Sequence, residues 1–382
     1  MTRKINIGIT VSIDKPGDSL FTNGIRQNVI ILRDLFASCE GVGESYIINT
    51  ARDVQLTAEN APSWADYLKH IITLQEARDK CDLVVVGQGS IGLDTYADFA
   101  RVGIRFTKHI MGAELQVFNE TVLFKEDSRN IYKRNGGVVE AVWMSDHYYD
   151  LDRHFFEVMY DCPVHIGPYV WDPRFIEHHM SVLQREDPTR PVIYKPSGES
   201  RKRVSVFEPN ISLVKTCTVP VIIGEIFHRK YPDKLDKLSI FCGDKIKQKR
   251  DMIDFVKDLD INRAKRIFFE GRYPIVWTLL RHSDILLSHQ QMNALNYIYL
   301  DAGWMGYPVL HNSPYMRDLD FGWYYRDNDA ETAAAHLSDI IDHFDDVHEQ
   351  YRHDCRTKAQ RYMIDNPQNI LGYTKLIHEA IG

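Results

Sequence analysis

Two stretches in the second half of the chain carry residue types suited to binding a diphosphate. The strand-like run Val204-Ser-Val-Phe ends in Glu208-Pro209-Asn210 and leads into an amphipathic segment bearing Lys215. A helix start presents unpaired N–H groups and a lysine adds mobile positive charge, and both favour an anion. Proline and asparagine are ordinary at helix starts, so local structure accounts well for Pro209 and Asn210, although Asn210 is kept among the candidate donor-binding residues. It does not account for Glu208 or Lys215. A second strand-like run, Arg266-Ile-Phe-Phe, is followed by Glu270-Gly-Arg272-Tyr-Pro. Glycine admits close backbone approach, and Arg272 offers a planar fork for phosphate oxygens. An arginine at a strand end is also a common surface residue.

The segment Ser283 to Asn312 reads as a strand, a polar loop, a helix beginning near Asn293, an acid at Asp301 and a turn Gly306-Tyr-Pro-Val into the next strand. In the first half, Asp146 and His147 close a strand and precede Tyr148-Tyr149. A carboxylate or imidazole there can take a proton from an acceptor hydroxyl, although His147 also suits the start of a helix. Glu120, with Glu114, is the next choice for that base. The polar loop from Asp14 to Gly24 either contacts ligand or is plain surface.

Such residues need elements to hold them. Short apolar runs alternate with amphipathic stretches, the pattern of βαβ units and a largely parallel sheet. The first half predicts strands at about 4–13, 45–50, 82–88, 104–110, 138–145 and 163–169, with helices at about 24–38, 64–80, 93–102 and 147–160. The second half predicts strands at about 203–207, 238–242, 266–270, 284–288, 308–311 and 322–325. Its helices are expected near 211–229, 246–259, 274–282, 293–305 and 331–344. The expected organisation is therefore an α/β chain with one Rossmann-like domain over 1–172, a linker over 173–200, a second such domain over 201–344, and C-terminal helices over 345–382 docking back across the domains. Asn366-Pro367 should break those last helices.

With 382 residues, 44% hydrophobic and 26% charged, the chain can bury two cores. A net charge of -7 repels rather than recruits a polyanion. Six scattered cysteines without CxxC spacing read as reduced thiols. No signal-peptide pattern and no long apolar run is present, so a cytoplasmic location is expected. Phosphate-loop, HExxH and GxSxG patterns are absent and no GxGxxG follows the first strand, which takes the best support from the NTPase, protease, esterase and simple dinucleotide readings. Asp150-Leu-Asp152 and Asp318-Leu-Asp320 resemble metal-binding acid pairs without the right strand context, so no metal is expected.

The strand, loop, helix, acid and Gly-x-Pro-Val order around Asp301 resembles the donor-binding segment of two-domain, GT-B type glycosyltransferases. That resemblance implies two Rossmann-like domains facing across a cleft, a ribose-binding role for Asp301, and phosphate contacts from the backbone N–H groups of Asn293, Ala294 and Leu295. Many retaining members have a glutamate where Asn293 stands, and an amide cannot act as an acid. Gly8-Ile-Thr-Val, Phe21-Thr-Asn-Gly-Ile-Arg-Gln-Asn28, Met111-Gly112 with Glu120, Met144-Ser-Asp-His147, Pro168-Tyr-Val-Trp-Asp-Pro173, Phe207-Glu-Pro-Asn-Ile-Ser-Leu-Val-Lys215 and Tyr307-Pro-Val-Leu-His-Asn-Ser313 extend it over nearly the whole chain. They are similar to a bacterial and phage family regarded as glycosyltransferases.

The resemblance implies transfer of a sugar from a nucleotide-diphosphate donor, a UDP-sugar first, to a hydroxyl of a cell-surface glycan, with no separate cofactor. Two alternatives stand beside it. One is a phage DNA glycosyltransferase acting on hydroxymethylated bases, with Arg201-Lys-Arg203, Lys245-Ile-Lys-Gln-Lys-Arg250 and Arg263-Ala-Lys-Arg266 as a DNA-facing rim. The other is a catalytically silent scaffold that binds a nucleotide sugar.

Overall fold

The computed structural model describes residues 3–15, 17, 19–22, 24–51, 54–124 and 136–382. Pro16, Asp18 and Asn23 of the Asp14 to Gly24 loop lie outside the described residues. The chain forms two compact units, one of Met1–Asp172 with Arg361–Gly382 and one of Pro173–Gln360.

The first unit is a seven-stranded parallel sheet built from β1 (Ile5–Val11), β2 (Val42–Asn49), β3 (Ile71–Thr73), β4 (Leu83–Val86), β5 (Arg105–Ile110), β6 (Ala141–Met144) and β7 (Val164–Ile166), in the order β3-β2-β1-β4-β5-β6-β7. Its helices are α1 (Gly24–Ala37), α2 (Leu74–Lys80), α3 (Leu93–Arg101), α4 (Glu114–Phe124) and α5 (Asp146–Tyr160). All residues of β4 and β6 are buried, as expected for strands covered on both faces. That continuous burial explains why they read as plain apolar runs rather than as alternating ones.

The second unit has β8 (Lys202–Val206), β9 (Leu235–Ile240), β10 (Ile267–Phe269), β11 (Ile285–Ser288), β12 (Val309–His311) and β13 (Trp323–Tyr324), in the order β10-β9-β8-β11-β12-β13. Its helices are α6 (Arg174–Glu186), α7 (Thr218–Lys230), α8 (Arg250–Val256), α9 (Asp260–Arg263), α10 (Ile275–His282), α11 (Tyr297–Met305), α12 (Pro314–Asp318) and α13 (Ala330–Ala359). The last helix, α14 (Pro367–Ile381), belongs to the first unit. There Tyr373 joins His109 at 3.1 Å and donates to the Pro168 carbonyl at 3.0 Å, beneath Phe36 and Trp143.

Several boundaries differ from expectation for identifiable reasons. The stretch expected as one helix over 64–80 divides into a 3-10 helix (Pro62–His70), β3 and α2. Ile71 and Ile72 are β-branched and favour extended backbone, and Thr73 with Glu76 forms a capping box that starts α2 afresh. Helix α4 was not expected. The proposed linker over 173–200 contains α6, and its remainder is held inside the second unit. Tyr194 donates from its N–H to the Met305 carbonyl at 2.9 Å and from its hydroxyl to Asp345 at 2.6 Å. The helix expected to end at 344 continues to Ala359. No helix among the described residues is long and apolar enough to cross a membrane, and all six cysteines are free.

Packing against α11 is tight at Gly303. A Cβ there would lie 2.4 Å from Phe321 Cζ and 3.2 Å from Cys355 Cβ, and both neighbours are buried. Replacement of this glycine would therefore push α11 off α13, and overpacking of this kind costs about 1–3 kcal/mol. Valine brings little gain in helix propensity to offset that, because its branched carbon is stiff in a helix. Gly303→Val should lower the thermal midpoint by several degrees, measured by calorimetry; an unchanged midpoint would show that the contact is soft.

Candidate functional site

In the second sheet the chain runs outward from β8 to β9 and β10, then returns to β11 beside β8 and runs the other way. The loops leaving β8 and β11 therefore part in opposite directions, and ligands of doubly wound sheets bind in the crevice this creates at the strands' carboxyl ends. Glu208, two residues beyond β8, is buried at that point. One of its oxygens accepts from Ser288 Oγ at 2.5 Å and from the His289 N–H at 3.0 Å. Those donors sit at the end of β11, so the carboxylate ties the two diverging strands together. Burial pushes the Glu208 carboxyl up, against the pull of Lys215 and the two hydrogen bonds. Burial likewise pushes the Lys215 ammonium down, with Glu208 acting the other way. An arriving anion would favour the charged form of this lysine.

Asn210 adopts a left-handed φ of 54°, uncommon for a residue with a side chain. Its amide nitrogen donates to the Glu208 carbonyl at 2.7 Å, and its amide oxygen accepts from the Cys217 N–H at 2.8 Å. The amide is thus committed to the loop, which corrects the expectation of Asn210 as a ligand group. This left-handed turn also keeps 211–217 out of a helix, so α7 begins at Thr218 rather than near 211.

Asn293, Ala294 and Leu295 also fall outside a helix. α11 starts at Tyr297, after an extended Asn296. The Asn293 N–H already donates to Gln290 Oε1 at 2.7 Å, the Ala294 carbonyl accepts from Ser313 Oγ, and Leu295 is buried. The helix expected to begin near Asn293 therefore begins four residues later, and the Asn293 N–H is taken up within the loop. Gln290 and Asn312 clasp each other: the Gln290 N–H donates to Asn312 Oδ1 at 2.9 Å and Asn312 Nδ2 donates to the Gln290 carbonyl at 2.8 Å. The Gln291 N–H donates to the Val214 carbonyl at 2.8 Å, joining this loop to the one bearing Lys215. Asp301 lies on α11, half-buried and four residues before its end.

Arg272 is exposed in the loop after β10. That loop is held by the Cys242 N–H to the Gly271 carbonyl at 3.2 Å and the Gly243 N–H to the Glu270 carbonyl at 2.9 Å. Cys242 in turn is reached by Asn210 Nδ2 at 3.4 Å. The loops bearing Glu208, Lys215 and Arg272 are thus stitched together through Cys242. Phe207 stacks on Phe241 at 4.9 Å, with Tyr273 edge-on to Phe241, giving this edge an aromatic floor. Sequence reasoning overlooked Ser288, His289, Gln290 and Asn312; the polar run directly after a strand was the available signal.

In the first unit, Asp146 opens α5 with its side chain half exposed, while the His147 side chain is only 1% exposed. The imidazole packs on Tyr148 at 3.9 Å and against Tyr169. Glu120 lies on α4, where Gln116 Nε2 reaches it at 3.5 Å. Among the three candidate bases, Asp146 is the most exposed, Glu120 is half-buried and His147 is buried. Asp152 is buried on α5, accepts from the Leu115 N–H at 3.4 Å and is pushed up to about 6 by burial.

His311 shows how this region holds its imidazoles neutral. Nδ1 accepts from the Ser313 N–H at 3.1 Å, so Nε2 carries the hydrogen and donates to the Phe321 carbonyl at 2.5 Å. Burial pushes both His311 and His289 down to about 4. Imidazoles in the unfolded chain stay near about 6.5, so between these values the unfolded state binds more protons. These two groups contribute stability that is complete above pH ~6.5 and is lost as the pH falls towards 4. NMR titration of the folded protein should find both rings neutral at pH ~5.5; a midpoint near 6.5 for either would contradict the burial described.

Solved glycosyltransferases of the GT-B type share this architecture. An alpha-glucosyltransferase in complex with UDP and a 13-mer DNA containing a HMU base has a TM-score of 0.60 at 14% identity, covering 99% of this chain and 100% of that one. Sucrose-phosphate synthase from Thermosynechococcus elongatus has a TM-score of 0.58 at 9% identity, covering 98% and 99%. Anabaena HepE in complex with UDP and glucose has a TM-score of 0.54 at 12% identity, covering 98% of each chain. No curated protein matches in sequence. With its residues 7–377 matching the family described as "Protein of unknown function (DUF2827)", and with two doubly wound units of GT-B type, the chain belongs to that family.

Proposed function

We propose that this protein transfers a sugar from a nucleotide-diphosphate donor, a UDP-sugar, to a hydroxyl acceptor on a cell-surface glycan. The observation that carries the reading is the second unit's switch point, where Glu208, Lys215, Arg272 and the Asp301 helix belong to loops and elements at the carboxyl ends of the strands. Lys215 and Arg272 supply positive charge for a diphosphate, and Asp301 supplies a carboxylate for ribose hydroxyls. The likeness to proteins bound to UDP supports the nucleotide.

In the reaction, the acceptor oxygen forms a bond to the anomeric carbon and the bond from that carbon to the diphosphate breaks. The diphosphate leaves with the electron pair, its growing negative charge stabilised by Lys215 and Arg272. The acceptor's proton passes to a base, for which Asp146 is preferred over His147 because its carboxylate is exposed and the imidazole is enclosed.

Ion pairing takes up part of the charge in the runs expected to face DNA, and Lys245, Lys247, Lys249 and Lys265 have no acidic partner among the described residues. In the basic runs, Arg201 pairs with Asp233, Lys202 with Asp345, Arg203 with Asp284, Arg250 with Asp254, Arg263 with Asp260 and Arg266 with Asp236. Charge already matched by a neighbouring acid contributes little to a polyanion-binding face.

Incubation with a panel of nucleotide sugars should release free nucleoside diphosphate, fastest from one UDP-sugar. Release that appears only with hydroxymethylated DNA would replace the glycan reading, and no release from any donor would favour the silent scaffold. Asp301→Ala should weaken UDP binding about tenfold or more by calorimetry, the value of a charge-assisted hydrogen bond. Wild-type affinity in that variant would remove Asp301 from the site.

A further inference from the structure

His289 follows the last residue of β11 and is only 1% exposed. Its Nδ1 lies 3.0 Å from the Tyr325 hydroxyl, and that hydroxyl also lies 3.1 Å from the Ser288 carbonyl. A carbonyl oxygen can only accept, so the single tyrosine hydrogen points to Ser288. The tyrosine oxygen is then the acceptor for His289, and Nδ1 must carry the hydrogen. Burial keeps the ring neutral near neutral pH, so Nε2 is left as a bare lone pair. Among the described residues it has no hydrogen-bond partner.

His311, one strand away, uses both of its nitrogens; His109 and His228 also carry a buried ring nitrogen without a hydrogen-bond partner, but His289 is the one that follows β11 at the switch point. An unmet buried acceptor is destabilising, and the backbone N–H of the same residue is the one that Glu208 accepts. A lone pair repels phosphate oxygens and attracts a hydroxyl or N–H.

We infer that His289 Nε2 is a specificity contact that accepts a hydrogen bond from a neutral donor group of the nucleotide sugar, a sugar hydroxyl or a base N–H. Tyr325 is the positioning residue that fixes the tautomer. The inference rests on the donor site proposed above. The ring is enclosed in the free protein, so the contact requires the donor to displace the hydrogen bonds by which Gln290 and Asn293 hold this loop. The contact discriminates by polarity: it favours a hydroxyl at its position over a methyl or a carboxylate.

Long-range nitrogen–proton NMR on the full chain tests this directly. The free protein should show His289 with its hydrogen on Nδ1 and an unprotonated Nε2, and hydrogen on Nε2 instead would overturn the inference. Added UDP-sugar should move the Nε2 resonance toward that of a hydrogen-bonded acceptor, whereas inorganic pyrophosphate should leave it in place. A shift with UDP alone assigns the donor group to the base or ribose; a shift only with UDP-sugar assigns it to the sugar. His289→Asn keeps a donor for Tyr325 but lacks the outer acceptor, and should bind the shifting ligand about tenfold more weakly. His289→Gln, whose amide oxygen can stand near the Nε2 position, should bind within about threefold of wild type. Failure of wild type to bind either UDP or UDP-sugar would overturn the donor reading and this contact with it. Binding with Nε2 unmoved and with His289→Asn at wild-type affinity would overturn this contact alone.

Discussion

The Glu208 carboxylate sits where the second sheet's central strands part, and the geometry of the candidate site depends on it. Backbone hydrogen bonding holds β8 and β11 together only as far as the strands run; beyond them the chain must find other partners for its polar groups. One oxygen of Glu208 takes both Ser288 Oγ and the His289 N–H. A buried carboxylate without such partners would cost several kcal/mol, so the acid, the serine and the backbone of His289 are mutually required. Once they are joined, Asn210 holds the loop after β8, and the Gln290 and Asn312 clasp holds the loops after β11 and β12. Lys215, Arg272 and Asp301 are carried by a rim whose backbone is already committed.

That arrangement separates two jobs that sequence reasoning had merged. Residues placed directly after strands were all candidates for touching a ligand, yet Glu208, Asn210 and Asn293 spend hydrogen bonds on the protein itself. Pre-satisfied loops lose less freedom when a donor arrives, and that preorganisation is worth more to a transferase than extra contacts. Lys215 and Arg272 carry the positive charge suited to a leaving diphosphate.

The strands were readable because parallel strands covered on both faces are apolar along their length, as β4 and β6 are and as β11 is up to Ser288. The repeated winding followed from their alternation with helices. Helix starts were harder. α7 and α11 both begin later than their apolar periodicity suggests, at Thr218 and Tyr297, because side-chain bonds from Asn210 and Gln290 hold the preceding residues in loops. Such bonds join residues that no local pattern relates. The 173–200 segment looked like a linker for want of periodicity, but Tyr194 anchors it through contacts to Met305 and Asp345, far away in sequence. Asp301 was singled out by its spacing to Gly306 and Pro308, whereas the His289 ring is oriented by Tyr325, 36 residues later.

The central claim is that the β8/β11 switch point holds a nucleotide diphosphate. A crystal structure of the protein grown with a UDP-sugar tests it most directly. The account predicts the diphosphate within hydrogen-bonding distance of the Lys215 or Arg272 side chain, with ribose hydroxyls on Asp301. A nucleotide bound elsewhere, with all three side chains clear of it, would contradict the account.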